Sequence, residues 1–272
     1  PRYWHPCLRP AERHDISERV LQDECIAVVC PDVRTTYLTQ VLPSDAADDA
    51  WDAQGGAAFS VVSLLVDSVS VAHFHRDVFN RTQAFVRRLR ADPRFLVTEF
   101  CNLRVVGVGS AHNQGAAYRH TNWNTTVFRD FRDAGYAVGT SVAPSRNNQE
   151  QHLNGPVAVG AHHDLLAGLP PTVAWKSANA PKCFGDKYYD DLSLAYTRQL
   201  ARRYRDKALA VFGYTSLPHS PDMSYSHQLD APLADTLTEF LESGLLHRSV
   251  LVLWSDHGLS YGGYFRGAQG KR

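Results

Sequence analysis

Continuous apolar runs alternate with amphipathic stretches along most of the chain. The apolar, β-branched runs predict strands that are buried on both faces, and apolar residues at helical spacing predict helices between them. The predicted strands are 58–66, 95–108, 135–138, 208–214 and 249–254, and the predicted helices are 78–89, 127–134, 189–205 and 229–241. Alternating strands and helices predict an α/β fold, an α/β/α sandwich with a mainly parallel central sheet.

The N-terminal part of the chain has a different pattern. Residues 1–50 are rich in charge and Pro and predict irregular structure with one short strand near 25–30, and the acidic segment 45–56 predicts a linker. We therefore expect an irregular extension over 1–56 and an α/β domain over 57–272. The Asn-, Gly-, His- and Pro-rich stretch 143–185 predicts a long loop inside that domain. The chain is expected to be a fragment whose domain is incomplete at its C-terminal end.

The composition of the chain limits which classes of partner and which kinds of site can be expected. Lys plus Arg and Asp plus Glu number 28 each, so the formal net charge is zero and no basic field predicts nucleic-acid binding. No apolar stretch approaches the ~20 residues of a membrane span, so a membrane anchor would lie outside this chain. The five cysteines form no C-x-x-C pair, which argues against a zinc knuckle. Glycosylation sequons at Asn80 and Asn124 favour a secreted or luminal protein.

Residues suited to metal binding or nucleophilic attack lie just after the predicted strands. Asp67 follows the first strand, Ser110 follows a glycine turn at 107–109, and Asp256 and His257 follow the last strand. In parallel sheets, ligands bind beyond the carboxyl ends of the strands. Two carboxylates and an imidazole suit a divalent cation such as Zn²⁺ or Mn²⁺. A serine hydroxyl on that cation would become a nucleophile.

The Ser-Asp-His-Gly motif at 255–258 resembles the metal-binding signature of the alkaline-phosphatase/sulfatase superfamily. Asp-Ser-Val-Ser at 67–70, followed by Phe74 and Arg76, resembles one branch more closely: the eukaryotic, mostly extracellular domain of unknown function 229 (DUF229) family. Further similar segments are 107–110 with Asn113, 131–136, 214–221 with His219, and 229–244. The resemblance runs from about residue 58 to the end, and 143–185 matches poorly.

The resemblance implies a divalent cation, Zn²⁺ or Mn²⁺ with Ca²⁺ or Mg²⁺ as alternatives, and a small-molecule or glycan ester of phosphate or sulfate as substrate. It also implies a role for each matching residue. Asp67, Asp256 and His257 would be metal ligands, Ser110 both nucleophile and ligand, His219 a substrate contact that assists the leaving group, and Asn113 and Arg76 substrate-binding residues.

Two departures leave an alternative open. The branch usually carries Arg where this chain has Val71 and Ser260, and either loss would weaken anion binding. Neither Ser110 nor Cys101 lies in the C/S-x-P-x-R pattern of formylglycine sulfatases, so chemistry on an unmodified serine fits better. The alternative function is a catalytically silent ectodomain that binds glycans or a protein.

Other histidine and aspartate groups invite a metal interpretation. His73 and His75 would form a pair in a metal hydrolase of another fold, whereas the resemblance puts them on the turn beyond Asp67. The segment His-His-Asp at 162–164 is predicted to be a solvated loop rather than a ligand set. Asp222, His227 and Asp230 are candidates for a second metal, and Asp230 is equally a candidate helix N-cap.

Overall fold

The computed structural model describes residues 2–4, 13–15, 24–29, 36–54, 59–100, 103–107, 109–119, 126–141, 161–165, 183–184, 187–221, 223 and 225–268. The strands are β1 Arg2–Trp4, β2 Arg13–Asp15, β3 Cys25–Val29, β4 Thr36–Thr39, β5 Ser60–Val66, β6 Ala137–Ser141, β7 His163–Asp164, β8 Cys183–Phe184, β9 Lys187–Tyr188, β10 Leu209–Thr215 and β11 Ser249–Trp254. The helices are α1 Asp45–Gln54, α2 Val71–Phe74, α3 Asn80–Ala91, α4 Ser110–Tyr118, α5 Val127–Asp133, α6 Tyr189–Arg203, α7 Ser226–Glu242 and α8 Gly262–Arg266, with 3-10 turns at Asp77–Phe79 and Leu245–Arg248.

A five-stranded sheet forms the centre of the α/β region, in the order β11-β5-β10-β6-β7. All four neighbouring pairs are parallel. Every residue of β10 is buried, as expected of a strand covered on both faces. The predicted α/β fold with a mainly parallel sheet is confirmed.

Helices cover both faces of this sheet and form two apolar clusters. The larger cluster packs α3, α6 and α7 against one face and includes Leu64, Val211, Leu200 and Phe240. The smaller one lies on the opposite face, where Tyr118 of α4 and Phe128 of α5 pack with Phe212 and Val138. Because consecutive strand residues point to opposite faces, Val211 and Phe212 join different clusters. None of the helices among the described residues is both long and apolar enough to cross a membrane.

The N-terminal region is more ordered than the sequence predicts. Strands β1 to β4 form an antiparallel sheet in the order β2-β1-β3-β4. Strand β3 is the short strand predicted near 25–30, whereas the expected irregular structure is wrong for β1, β2 and β4. The predicted linker is the helix α1 instead. Ser44 accepts a hydrogen bond from the amide of Ala47 at the start of α1, and Ala47 is fully buried. Asp48 of the same helix pairs with Lys207 at 2.5 Å.

The predicted strand at 95–108 is wrong for the described residues of that segment. Residues 95–100 and 103–105 have no regular secondary structure. Leu96 and Val106 are 95% and 70% exposed, although their side chains are typical of strands. Apolar composition alone does not make a strand, because a strand also needs a pairing partner, and none of the described strands pairs with this segment.

The other predicted elements are confirmed within a few residues, which is the usual scatter of boundaries. Most of the predicted loop at 143–185 lies outside the described residues, as does Asn124.

Candidate active site

Three neighbouring strands deliver chemical groups to one edge of the central sheet. Asp67 directly follows β5, the loop carrying His219 follows β10, and Asp256 is the second residue after β11. Strand β5 lies between the other two. Because the three strands are parallel, their carboxyl ends meet at the same edge, and these groups come together although they are far apart in sequence.

Asp67 is completely buried and held from several sides. Its backbone amide donates to the carbonyl of Thr215 at 3.0 Å, which ties the ends of β5 and β10 together. Its carboxylate accepts hydrogen bonds from Ser68 at Oδ1 (2.9 Å) and from the phenol of Tyr214 at Oδ2, the second of which is very short. Ser68 has a φ of 65°, an unusual conformation for a residue other than glycine. The chain therefore turns sharply just after Asp67.

The Ser-Asp-His-Gly motif at 255–258 forms a tight turn in which each polar side chain has a separate task. Ser255 accepts from the amide of Val69 (3.0 Å) and donates to the carbonyl of His257 (2.9 Å), which joins the two acidic strand exits. Asp256 accepts from the amide of His257 at Oδ1 (3.0 Å). The Nδ1 of His257 lies 2.8 Å from the carbonyl of Gly258, an acceptor only, so Nδ1 carries the proton and the lone pair is on Nε2.

Ser110 is the first residue of helix α4. Gly109 precedes it with a φ of 84°, where a side chain would be strained. Asn113 holds this turn: its Oδ1 accepts from the amides of Val106 (2.8 Å) and Gly107 (3.2 Å), and its Nδ2 donates to the carbonyls of Gly107 (3.1 Å) and Gly109 (2.9 Å). Asn113 thus fixes the position of Ser110, while its predicted contact with substrate stays a prediction.

The predicted ligands Asp67, Asp256 and His257 lie together. One ligand atom from each falls within 4.8 Å of the others, and this is the only such cluster of three or more among the residues that the structure describes. The Nε2 of His257 is 3.8 Å from both Asp67 Oδ1 and Asp256 Oδ2, and 3.1 Å from Ser110 Oγ. Ligands about 2.1 Å from a tetrahedral Zn²⁺ are roughly 3.4 Å apart. The donor set and its spacing suit a small divalent cation.

The electrostatics of the cluster favour a cation. Burial, followed by the nearby charge of Asp67, raises the pKa of Asp256, and the charge of His257 and hydrogen bonds from Gln114 and Ser110 oppose that rise. Burial and the charge of Asp67 raise the pKa of Tyr214 well above its ordinary value, so Tyr214 remains a hydrogen-bond donor. A cation between the two carboxylates would relieve their repulsion.

His219 lies beside this cluster in the loop after β10. Its ring centroid is 6.4 Å from that of His257 and 5.0 Å from that of Tyr261. The buried carboxylate of Asp190, at the start of α6, accepts from the amides of Ser216 and Leu217 and so holds the loop. A predicted substrate-contacting histidine therefore faces the same site.

The positions of Arg76, Val71 and Ser260 are all exposed. Arg76 precedes the 3-10 turn Asp77–Phe79, and its predicted contact with substrate stays a prediction. Val71 begins helix α2 and is 50% exposed, and Ser260 lies three residues beyond His257. At these two positions, where the resembling branch carries Arg, this chain presents neutral side chains.

His73 and His75 do not act as a metal pair. Buried His73 contacts Ser226 at 3.1 Å through Nε2, whereas exposed His75 pairs with Glu99 at 2.6 Å. Burial and then the charge of Arg76 lower the pKa of His73 to about 4, so it is neutral at pH 7. The alternative of a metal hydrolase built on these two histidines is wrong.

The segment at 162–164 is not a solvated loop. His163 and Asp164 form β7 at the edge of the central sheet and are 3% and 7% exposed. His163 contacts Glu24 at 2.9 Å through Nδ1 and Tyr204 at 2.6 Å through Nε2. Its two ring nitrogens are therefore both used by the fold.

The candidates for a second metal do not assemble among the described residues. Asp230 lies inside α7, and its carboxylate accepts from the amides of Arg81 (2.9 Å) and Thr82 (2.8 Å). It therefore caps the start of α3 rather than of its own helix, which corrects the predicted N-cap. His227 is exposed on α7, and Asp222 lies outside the described residues.

The sequence alone did not indicate roles for Gln114, Tyr214, Asp190 and Tyr261. Gln114 follows Ser110 by four residues in α4 and so lies on the same helix face, a spacing that could have indicated it. Tyr214 immediately precedes the end of a predicted strand, but its pairing with Asp67 depends on β10 being the neighbour of β5. Asp190 and Tyr261 carry no comparable signal in the sequence.

Residues 171–272 match a family model described as Protein of unknown function (DUF229). The matched part includes Tyr214, His219, Asp256 and His257, and the match supports the predicted resemblance to DUF229 over these residues. No curated protein and no solved structure matches the chain. The wider resemblance to the alkaline-phosphatase/sulfatase superfamily stays a prediction.

Proposed function

For this chain, whose C-terminal region belongs to the DUF229 family, we propose that it is a metal-dependent hydrolase or transferase acting on a phosphate or sulfate ester. One observation carries the proposal. Asp67, Asp256 and His257 come within 4.8 Å of one another, and the hydroxyl of Ser110 is 3.1 Å from the Nε2 of His257. Two carboxylates, an imidazole and a serine at one sheet edge form a suitable set for metal-assisted attack on an ester.

Asp67, Asp256 and His257 would hold the cation, Zn²⁺ or Mn²⁺ by the chemistry of the donors. When bound, the cation would lower the pKa of the Ser110 hydroxyl and polarise an oxygen of the ester. The fixed tautomer of His257, with Nδ1 donating to the carbonyl of Gly258, leaves Nε2 available as a ligand.

In the proposed reaction Ser110 Oγ releases its proton to water and forms a bond to phosphorus or sulfur. The bond from that atom to the leaving-group oxygen breaks, and His219 gives the leaving group a proton. Water then hydrolyses the seryl ester, or an acceptor alcohol takes the group in a transferase. Backbone amides in the first turn of a helix suit anionic oxygens, and Ser110 begins α4.

The proposal is tested by turnover of aryl phosphate and aryl sulfate esters by the whole protein with added Zn²⁺ or Mn²⁺. We expect Ser110→Ala to lower kcat/KM by about ten-thousand-fold, because it removes the nucleophile. Ser243→Ala, at an exposed serine beyond α7, is the matched control and should leave turnover unchanged. Equal turnover by Ser110→Ala and wild type would contradict the role of Ser110.

A catalytically silent, glycan- or protein-binding ectodomain is the second candidate, favoured by the neutral, exposed Val71 and Ser260. Without arginines at these two positions, the site has fewer groups to bind an anionic ester. Elemental analysis separates the two functions when it is combined with the turnover assay. Bound metal lost in Asp256→Asn, with no turnover of any ester, would favour the silent ectodomain.

A further inference from the structure

We propose that Tyr214 and Gln114 are positioning residues that orient the carboxylates of Asp67 and Asp256 for cation binding. This inference rests on the proposed function, because it concerns the same site. It assigns a task to two buried polar side chains that neither hold the cation nor touch the ester in the mechanism above.

Tyr214 reaches Asp67 across the two central strands of the sheet. It lies opposite Leu65 in the parallel register of β10 and β5, and it is 3% exposed. Its phenol donates to Asp67 Oδ2 in a very short hydrogen bond. The other oxygen, Oδ1, is the one that lies 3.8 Å from the Nε2 of His257. Tyr214 therefore selects which oxygen of Asp67 faces the rest of the cluster.

Gln114 holds Asp256 from the other face of the sheet, and it binds Oδ2, the same oxygen that lies 3.8 Å from the Nε2 of His257. It is 2% exposed and lies one helical turn after Ser110 in α4. Its Nε2 donates to Asp256 Oδ2 at 2.8 Å, and the backbone amide of His257 donates to Oδ1 at 3.0 Å. With both oxygens held, the carboxylate cannot rotate away from Asp67. The same helix thus presents Ser110 and orients a carboxylate beside it.

The neutrality of these two donors matters as much as their position. A Lys or Arg in either place would supply positive charge to the carboxylates and compete with a cation. A phenol and a carboxamide orient the oxygens and leave their negative charge in place. Two like charges held close together in a buried site repel, and a divalent cation removes that repulsion. The arrangement therefore prepares the site for a cation before it arrives.

A purely structural role is the competing explanation, since buried polar groups need hydrogen-bond partners. Tyr204 supplies a matched control, because its phenol is also buried and contacts a histidine, His163, at 2.6 Å, in a different part of the fold. Gln199 is the control for Gln114: its Nε2 donates to the carbonyl of Thr39 at 2.7 Å. Tyr214→Phe, Gln114→Ala and Tyr204→Phe lose a buried hydrogen bond, and Gln199→Ala loses a partly buried one. Only the first two variants lose a hydrogen bond in the candidate site.

The test is the dissociation constant for Zn²⁺ of the whole protein, measured by competition with a chromophoric chelator. We expect Tyr214→Phe and Gln114→Ala each to weaken Zn²⁺ binding by about 10- to 100-fold, as other partners of metal ligands do. Tyr204→Phe and Gln199→Ala should keep the wild-type affinity. At saturating Zn²⁺, Tyr214→Phe should recover most of the turnover of an aryl ester, because Tyr214 does not touch the ester.

Zn²⁺ affinity unchanged in Tyr214→Phe and Gln114→Ala would overturn the inference, and so would equal losses in the control variants. A wild-type protein that binds no Zn²⁺ would overturn it as well. Wild-type protein that binds Zn²⁺ and shows the expected losses, but hydrolyses no ester, would support the positioning role and contradict the proposed function.

Discussion

Two buried histidine clusters in this protein use the same residue types in opposite ways. In the candidate site, His257 keeps Nδ1 on a backbone carbonyl and directs Nε2 toward Asp67, Asp256 and Ser110. In the second cluster, His163 uses Nδ1 for Glu24 and Nε2 for Tyr204.

The difference teaches how a functional histidine can be told from a structural one. Both histidine side chains are mostly buried, at 8% exposure for His257 and 3% for His163, so burial does not separate them. The difference lies in the groups around the ring nitrogens. The Nε2 of His257 faces two neighbouring carboxylates, whereas both ring nitrogens of His163 have hydrogen-bond partners. The two carboxylates beside His257 repel each other, whereas the single carboxylate of Glu24 is shared between His163 and Tyr196 (2.7 Å). The proposed cation would offset the repulsion in the first cluster, whereas the carboxylate of the second already has its hydrogen-bond donors.

Removing Glu24 from the second cluster should lower the stability of the protein more than the other substitutions below, and it should leave Zn²⁺ binding at the candidate site unchanged. Glu24→Ala removes the partner of His163 and Tyr196 and the acceptor for the amide of Leu42. We expect the free energy of unfolding in urea to fall by about 3 kcal/mol, because buried donors lose their acceptor. Zn²⁺ affinity should stay at the wild-type value. A folded Glu24→Ala variant that binds no Zn²⁺ would mean that the two clusters are coupled.

A third buried histidine, His73, should make the stability of the protein depend on pH. His73 uses Nε2 for Ser226, and its Nδ1 is buried with no hydrogen-bond partner among the described residues. Burial lowers its pKa from 6.5 to about 4, so its contribution to stability is full above pH 6.5 and is lost as the pH falls toward 4. One pKa unit corresponds to about 1.4 kcal/mol, so the loss between pH 7.5 and 4 is about 3 kcal/mol.

The expected result is a weaker acid destabilisation in His73→Gln than in wild type, measured by urea unfolding across that pH range. Ser226→Ala is the control, because it removes the same hydrogen bond and leaves the imidazole of His73 in place. Identical pH profiles for wild type and His73→Gln would show that His73 does not contribute to acid unfolding.

The smallest expected effect on stability is a gain rather than a loss, and it comes from a substitution in the candidate site. Asp256→Asn removes one of two repelling carboxylates, so the metal-free protein at pH 7 should gain about 1 kcal/mol or less of stability. The melting temperature in EDTA should rise slightly in this variant. Added Zn²⁺ should reverse the order, because only wild type keeps the full ligand set. A lower melting temperature of the variant in EDTA would argue against repulsion in this site.

Much of the α/β framework was predictable from local pattern. Strand Ser249–Trp254 matches its predicted limits, and strands Ser60–Val66 and Leu209–Thr215 shift by one or two residues, because continuous β-branched runs are typical of buried parallel strands. The segment 95–108 has the same kind of composition but no strand, since pairing with a neighbour is decided outside the segment. The acidic helix Asp45–Gln54 was missed because its contact with Lys207 is distant in sequence.

In the candidate site, too, some residues could be predicted from local sequence and others could not. The sequence indicated Asp67, Ser110, Asp256 and His257 as candidates because they lie within three residues of a strand end or a glycine turn, and the structure brings them together. Gln114 and Tyr214 could not be assigned, since each acquires its partner only when strands and helices that are distant in sequence become neighbours.

The sequence by itself determined the main strands, the residues at their ends and the DUF229 match of residues 171–272. Short-range hydrophobic patterns and short motifs carry that information. Only the tertiary structure decided which strands are neighbours. It also decided that the Nε2 of His257 faces two carboxylates, and that Tyr214 and Gln114 donate to those carboxylates. Those outcomes depend on strand order and on burial, and both arise from contacts between residues more than a hundred positions apart.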